Sequence, residues 1–148
     1  MPTNPSREQL AELQAIAGTE SDGPLVMLNL NRYRERAAYA GEPPGGGSPD
    51  VSGREAYARY GITALEVLAR VGGEILWHAA ATMTVVGDES DRYDEVIAAR
   101  YPSAQAFLEL ALDPEVGVAL AHRDAALERA SILRCDDDGG IAPAAAGA

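Results

Sequence analysis

The sequence predicts an α+β domain with a four-stranded antiparallel sheet and both main helices on one face. Two observations lead to this fold. Segments with strand-like apolar patterns alternate with helical segments in the order strand, helix, strand, strand, helix, strand. Residues that favour helix N-termini stand directly before the helical segments. Two βαβ halves of this kind make a ferredoxin-like βαββαβ sheet with its helices on one side.

The chain has room for one globular domain, because it contains 148 residues of which 47% are apolar. Residues 1–22 are predicted to form an N-terminal helical extension, in which Ser6 and Gln9 have the spacing of a capping box. Residues 23–135 are predicted to form the domain itself, of the dimeric α/β-barrel kind. The tail at 136–148 is acidic and then rich in Ala, Gly and Pro, so we expect it to be disordered.

The first half of the domain consists of a strand at residues 24–31 and a helix at residues 54–71. One face of the strand is apolar, and the other becomes polar toward its end, at Asn29 and Asn31. Residues 41–53, between the two elements, form a flexible loop too rich in Gly and Pro for regular structure. A loop of this length is either a lid over a site or a tolerated surface insertion.

The second half begins with predicted strands at residues 74–86 and 93–101, joined by a turn. Helices start after Ser103 and after Asp113, and a last strand covers residues 127–135. The sheet face opposite the helices has no predicted cover. Because an exposed apolar sheet face is a liability, a second copy of the chain packed through a twofold axis is expected, and the sequence predicts a homodimer.

Composition excludes several classes of function. The net charge of −11 and the pI near 4.5 argue against binding to nucleic acid or to an anionic membrane surface. All twelve basic residues are Arg, so Schiff-base chemistry and a P-loop Lys are excluded. The single Cys135 excludes an intrachain disulfide and a paired-cysteine zinc site. No long apolar segment or signal-peptide pattern is present, so a cytoplasmic location is expected.

From Gly23 to Cys135 the sequence resembles the family called domain of unknown function 1330. No single motif is specific for this family, but the order and spacing of several motifs together are. The motifs are Val26-Met27-Leu28-Asn29-Leu30, Ser52-Gly53-Arg54-Glu55-Ala56-Tyr57-Ala58-Arg59-Tyr60-Gly61, Val71-Gly72-Gly73, Tyr101-Pro102-Ser103 with Phe107, Asp113-Pro114-Glu115, and His122-Arg123-Asp124-Ala125-Ala126-Leu127.

The resemblance implies a dimeric α/β barrel and supplies no activity of its own. Proteins of the same architecture include cofactor-free monooxygenases, lactone isomerases, dehydratases, cyclases and haem enzymes, and this is an analogy of fold alone. The sequence departs from the family pattern at Asn31, Tyr33, Val116 and the pair Trp77-His78. Polar residues at inward-facing strand positions indicate a specialised pocket.

His78 is the first candidate for a catalytic residue, because the pKa range of imidazole suits a general acid or base near neutral pH. The alternation of a strand lets only one of Trp77 and His78 face the interior. If His78 does so, the small Ala80 leaves room for a ligand beside it. The alternative is a surface or hydrogen-bonded structural histidine.

The other candidates surround the same predicted pocket. Asn29 and Asn31 share a strand face and are expected to bind a carbonyl or enolate oxygen, unless their amides only bond neighbouring loops. Tyr60 is a catalytic candidate and Tyr57 a substrate contact one turn away, although such tyrosines are often core residues with a solvated hydroxyl. The remaining expected substrate-binding residues are Trp77, Arg32, Tyr33, Arg100 and His122.

Neither a metal ion nor an organic cofactor is expected. The two histidines lie 44 positions apart without a ligand spacing, and dinucleotide, nucleophile-elbow and Cys/His motifs are missing. The leading hypothesis is a cofactor-independent enzyme for a biosynthetic or catabolic intermediate. It covers isomerases, cyclases, dehydratases and cofactor-free monooxygenases, all acting on a small-molecule substrate. The alternative is a non-catalytic barrel protein that binds a small ligand.

Overall fold

The computed structural model describes residues 3–137, and its elements follow the predicted order. The helices are α1 (Arg7–Ile16), α2 (Gly53–Arg70), α3 (Ala104–Ala111) and α4 (Pro114–Ala126). The strands are β1 (Leu25–Tyr33), β2 (Glu74–Ala80), β3 (Glu95–Tyr101) and β4 (Leu127–Asp136). A short 3₁₀ turn at Glu89–Asp91 precedes β3. The tail was predicted to be disordered from residue 136, but Asp136 is the last residue of β4, and residues 138–148 lie outside the described residues.

The four strands form one sheet in the order β2-β3-β1-β4, and every neighbouring pair is antiparallel. The two central strands are therefore the first and third, as in a ferredoxin-like fold, and the predicted fold class is confirmed. Each predicted helix start is also present. The side chains of Ser6, Ser52, Ser103 and Asp113 accept hydrogen bonds from backbone amides in the first turns of the four helices.

The main core lies between the sheet and the helices. Met27 and Tyr101 point from the sheet toward Val67 and Leu68 of α2, and Val116 of α4 completes the cluster. Asp22, in the connection between α1 and β1, accepts hydrogen bonds from the amides of the first two residues of α3. This connection therefore links the N-terminal helix to the domain.

The segment between β1 and α2 has no helix or strand, but backbone hydrogen bonds attach it to the domain. The Ala37 amide donates to the Val51 carbonyl at 2.9 Å, and the Ala38 amide donates to the Ala125 carbonyl at 2.9 Å. The Arg34 amide bonds the last residue of α4, and the Gly53 amide bonds the Arg34 carbonyl at 3.0 Å. The start of α2 is therefore fixed against the junction of α4 and β4.

β2 is shorter than its sequence predicts. The strand ends at Ala80, not at Val86, because its partner β3 begins only at Glu95 and leaves no strand for later residues to pair with. The apolar side chains of Met83, Val85 and Val86 are consequently exposed. Among residues 3–137, no helix is long and apolar enough to cross a membrane.

Candidate active site

A cavity of about 380 Å³ lies between the sheet and α2, on the face that carries the helices. Its volume falls in the range of small-molecule sites. The floor comes from β1, β2 and β3, α2 covers it, and α3 contributes Leu110. The side chains with polar groups that line the cavity are Asn29, Tyr57, Tyr60, His78, Glu95 and Tyr101.

The cavity has a polar end and an apolar end. β3 runs from Glu95 at one end to Tyr101 at the other, and α2 runs beside it in the same order. Arg54 at the start of α2 lies near Glu95, whereas Leu68 near its end packs in the cluster with Tyr101. The apolar lining residues are Ala58, Ala64, Leu65, Leu68, Ile75, Ile97, Ala99 and Leu110, and most of them lie toward the Leu68 end.

A β-bulge in β2 aims His78 into the cavity. Ile75 pairs with Ala99, but Trp77, not Leu76, pairs with the next residue of β3, so Leu76 is the extra residue. A bulge reverses the alternation of side chains beyond it. His78 therefore shares the helix-bearing face with Ile75, and Trp77 lies on the opposite face.

Glu95 connects His78 to the protein interior. One carboxylate oxygen, Oε2, lies 3.2 Å from His78 Nδ1. The other, Oε1, accepts a hydrogen bond from the Tyr33 hydroxyl and lies 3.9 Å from the guanidinium of Arg54. The side chain of Glu95 is only 16% exposed, compared with 67% for His78. The carboxylate is thus a fixed group that orients a more exposed imidazole.

Tyr33 and Asn31 lie behind Glu95. Burial, followed by the hydrogen bond to Glu95, raises the pKa of the Tyr33 hydroxyl, so this group stays protonated and acts as a donor. The Asn31 amide lies 3.5 Å from the Tyr33 hydroxyl and is 1% exposed. Neither residue is among those lining the cavity. Tyr33 thus contacts Glu95 directly from outside the cavity lining, and Asn31 acts on it only through the Tyr33 hydroxyl.

Asn29 lines the cavity, and its side-chain oxygen Oδ1 is free to accept a hydrogen bond. Its amide nitrogen donates to the Met27 carbonyl at 3.1 Å and to the Ile97 carbonyl at 3.4 Å. Within residues 3–137, no hydrogen bond to its Oδ1 is present. Since both N–H groups face backbone carbonyls, Asn29 offers an acceptor to a ligand, and the predicted oxyanion-type donor role does not fit this arrangement.

Three tyrosines shape the cavity walls. The Tyr57 ring lies 5.5 Å from that of Tyr60 and 5.4 Å from that of Tyr33, both in tilted contact. Burial raises the pKa of Tyr60 and of Tyr101, so both remain neutral phenols at physiological pH. The predicted residues Tyr57 and Tyr60 therefore do lie together in the cavity with His78 and Asn29.

Three of the predicted substrate contacts are on the other face of the sheet. Trp77 pairs with Ala98 there and is half exposed. Arg32 forms salt bridges with Glu89 and Glu128, and Arg100 pairs with Asp137 at 2.7 Å. The structure does not bring these side chains to the cavity, because odd and even positions of a strand face opposite sides.

Sequence reasoning missed Glu95 and Arg54 as site residues. In the sequence Glu95 is the third residue of the strand predicted at 93–101, just after an acidic turn, and none of its neighbours marks it as a site residue. The signal that identifies it is the strand register, which places Glu95 opposite both Asn31 and Ala80. Arg54 follows Ser52-Gly53 at a helix start, where a charged residue is commonly solvated.

His122 belongs to a second polar cluster, which holds the segment between β1 and α2. Its Nδ1 lies 2.7 Å from the Tyr39 hydroxyl, and its ring also hydrogen-bonds the Pro44 backbone. The Arg59 guanidinium donates to the same hydroxyl at 3.2 Å and to the Ser48 carbonyl at 2.8 Å. His122 is 7% exposed and is not among the residues lining the cavity.

We expect this cluster to make stability depend on pH. Burial and the positive charge of Arg59 lower the pKa of His122, so the unfolded chain binds a proton more readily than the folded one. The free energy of unfolding should therefore fall as pH drops from about 7.5 to about 5.5, below the usual imidazole pKa. Urea titrations at both pH values measure this change. In His122→Gln the pH dependence should shrink, and an unchanged dependence would contradict this assignment.

Within residues 3–137, no three His, Cys, Asp or Glu side chains approach one another closely enough to hold a metal ion together. The titratable groups of the cavity are instead a His–Glu pair and the tyrosines. These residues are suited to proton transfer and hydrogen bonding.

Comparison with known proteins places the chain in a family. The model of the family described as "Domain of unknown function (DUF1330)" matches residues 47–134. The crystal structure of methylated RPA0582 protein is 36% identical, with a TM-score of 0.78, and the match covers 91% of this chain and 93% of that one. A second crystal structure, of RPA0582 as a protein of unknown function from Rhodopseudomonas palustris, is also 36% identical.

This second match has a TM-score of 0.75 and covers 88% of this chain and 92% of the other. No curated protein matches the sequence. The predicted family is confirmed by both the family model and the solved structures. The chain belongs to the DUF1330 family.

Proposed function

We propose that the protein is a cofactor-independent enzyme that transfers a proton on a small, largely apolar molecule, with His78 as the acid or base. The observation that carries this proposal is the His78–Glu95 pair at the polar end of the cavity. A carboxylate accepts only, so Nδ1 of His78 carries the proton shared with Glu95, and Nε2 is left as the basic atom. This is the orientation in which a histidine serves as a general base.

The reactions open to such a site begin with removal of a proton from carbon or oxygen. Isomerisation, cyclisation and dehydration of a biosynthetic or catabolic intermediate all start in this way. Cofactor-free oxygenation of an electron-rich aromatic does too, because it requires a deprotonated substrate. The apolar lining, which includes Leu68, Ala99 and Leu110, fits the apolar part of such a substrate and leaves the polar groups to one end of the cavity.

Deuterium exchange tests the proposal without knowledge of the natural substrate. The protein is incubated in D₂O with a panel of cyclic ketones, lactones and phenols, and incorporation of deuterium at carbon is followed by mass spectrometry. We expect accelerated exchange in at least one compound, and His78→Gln should slow it by about 100-fold or more, as loss of a general base does.

Arg100→Gln provides the control, because Arg100 lies on the opposite face of the same sheet and pairs with Asp137. Its exchange rate should equal that of the wild type. If no compound exchanges faster than in buffer, or if His78→Gln exchanges as fast as wild type, acid–base catalysis by His78 is wrong.

The alternative function is binding of a small ligand without catalysis. The 67% exposure of the His78 side chain favours it, since a general base usually works in a site closed to water. In that case a ligand would bind in the cavity of the wild type, and no panel compound would exchange faster than in buffer in either the wild type or His78→Gln.

We propose further that two copies form a homodimer through the sheet face opposite the helices. The cross-strand register places an apolar set on that face, and Trp77 and Leu133 in it are each 51% exposed. Exposed apolar patches of this kind mark interaction surfaces. The members of this open face are Val26, Leu28, Leu30, Trp77, Val96, Ala98 and Leu133.

Light scattering measures the oligomeric state directly. We expect a mass twice the 15.5 kDa of one chain. Leu133→Glu should halve it, because a buried unpaired carboxylate on both sides of a twofold interface is strongly unfavourable. Leu112→Glu is the control, since Leu112 is exposed at the end of α3, away from the sheet. A wild-type mass of 15.5 kDa would refute the dimer.

A cytoplasmic location is proposed with this function. The single Cys135 cannot form an intrachain disulfide, so the fold draws no stability from an oxidising compartment. Cell fractionation followed by immunoblotting tests the location.

A further inference from the structure

We infer that the ligand of the cavity is an uncharged aromatic or cyclic compound that carries a hydroxyl group, of the phenol or enol class, at one end. This inference rests on the proposed function only in taking the same cavity as the site. It is carried by the charges of the cavity, by the direction of its hydrogen-bonding groups, and by its division into a polar and an apolar end.

The charges exclude anionic ligands. None of the residues lining the cavity is Arg or Lys, and the one fixed charge among them is the carboxylate of Glu95. Two arginines lie just outside the lining, and both are engaged elsewhere. Arg54 lies over the Tyr33 ring at 4.8 Å and beside Glu95, whereas Arg123, near Tyr60, donates to the Thr3 carbonyl and to the Asn4 side chain. A carboxylate or phosphate ligand would lose its hydration without gaining a counter-ion, which costs binding free energy.

Two side chains in the cavity present hydrogen-bond acceptors, so they favour a ligand that carries a hydrogen-bond donor. Asn29 presents its acceptor Oδ1, because its amide nitrogen is engaged with the Met27 and Ile97 carbonyls. His78 presents Nε2 as an acceptor, because Nδ1 faces Glu95. The tyrosine hydroxyls can donate or accept, so they adapt to either kind of ligand. A ligand hydroxyl therefore has two acceptors available, of which His78 is the stronger base.

The apolar end accounts for the rest of the ligand. Leu68, Ile75 and Leu110 surround it, and the Tyr101 ring closes it. Aromatic rings on the walls favour a flat ring in the ligand through edge and face contacts. A cavity of about 380 Å³ takes a compound of one or two rings.

Isothermal titration calorimetry with three naphthalene compounds tests this inference on the full chain. At pH 7, 2-naphthol is a neutral donor, since phenols have a pKa near 10. In 2-methoxynaphthalene the donor is removed, and 2-naphthoate is an anion. We expect 2-naphthol to bind about tenfold or more tightly than either, which corresponds to about 1.4 kcal/mol for one hydrogen bond.

Asn29→Leu should weaken the binding of 2-naphthol and leave the binding of 2-methoxynaphthalene unchanged. The ratio of the two affinities should therefore fall toward one. Arg100→Gln, on the opposite face, should keep the wild-type ratio. Equal binding of 2-naphthol and 2-methoxynaphthalene to the wild type, tighter binding of 2-naphthoate, or binding of none of the three overturns the inference. These outcomes hold even if Asn29→Leu does not fold.

The calorimetry is independent of catalysis. If 2-naphthol is selected but the deuterium exchange fails, the ligand class stands and the acid–base function is wrong. If exchange occurs in a ketone or lactone while 2-naphthol is not selected, the function stands and the ligand class is wrong.

Discussion

Gly53→Ala should lower the free energy of unfolding by roughly 3 kcal/mol, because the added methyl group has no space. A Cβ at this position would lie 2.2 Å from the Arg34 carbonyl oxygen and 2.7 Å from the Ala126 carbonyl oxygen. Both are backbone atoms, so no side chain can rotate away. Relief requires the start of α2 to move from the end of β1, which breaks the Gly53–Arg34 hydrogen bond. Urea denaturation followed by circular dichroism measures the change.

Gly117→Ala is the matched control for this substitution. Gly117 lies inside α4, and a Cβ built there has no heavy atom within 4 Å. Alanine is favoured over glycine in a helix interior, so this variant should gain about 0.5 to 1 kcal/mol. A loss of less than about 1 kcal/mol in Gly53→Ala would show that the junction of β1, α2 and α4 is not rigid.

Glu95→Gln should reduce the deuterium exchange by about 100-fold or more, as His78→Gln does, because it leaves His78 in the wrong tautomer. The Tyr33 hydroxyl donates to Oε1, so the amide oxygen of the glutamine takes that position. Its NH₂ group then faces His78 Nδ1 in place of Oε2. An N–H opposite Nδ1 forces the imidazole proton onto Nε2, and the basic atom is lost.

Nitrogen NMR of the imidazole rings measures this change directly, since the chain contains two histidines. The wild type should show His78 protonated on Nδ1, and Glu95→Gln should show it protonated on Nε2. The substitution keeps the shape of the side chain, so the melting temperature should change little. Glu74→Gln removes the same charge from the exposed start of β2 and should alter neither exchange nor tautomer. The same tautomer in wild type and Glu95→Gln would contradict the orienting role.

The fold was predictable from the sequence because its signals are local. Ser52 and Ser103 mark helix starts through hydrogen bonds within one turn, and apolar alternation marks the strand at Leu25–Tyr33. The strand order then follows from the limited number of ways to arrange two βαβ halves. The end of β2 was not predictable, because residues after Ala80 have strand-like character but no partner.

The site was predictable only in part, because it depends on register. His78, Asn29, Tyr57 and Tyr60 were identified by residue type and position in an element, and all four line the cavity. The role of Glu95 depends on which residues of β2 and β3 face each other, and one bulged residue changes that pairing. The orientation of the Asn29 amide depends on backbone carbonyls two residues away and in another strand.

The bulge at Leu76 determines which side of the sheet each later residue of β2 faces. If Leu76 paired regularly with Ala98, every later side chain of β2 would move to the opposite face. The Trp77 indole would then occupy the cavity, and the His78 imidazole would sit on the open face. Deletion of Leu76 has no such effect, because Trp77 and His78 would still pair with Ala98 and Ile97, so the cavity should tolerate loss of the bulged residue better than loss of the bulge with Leu76 retained.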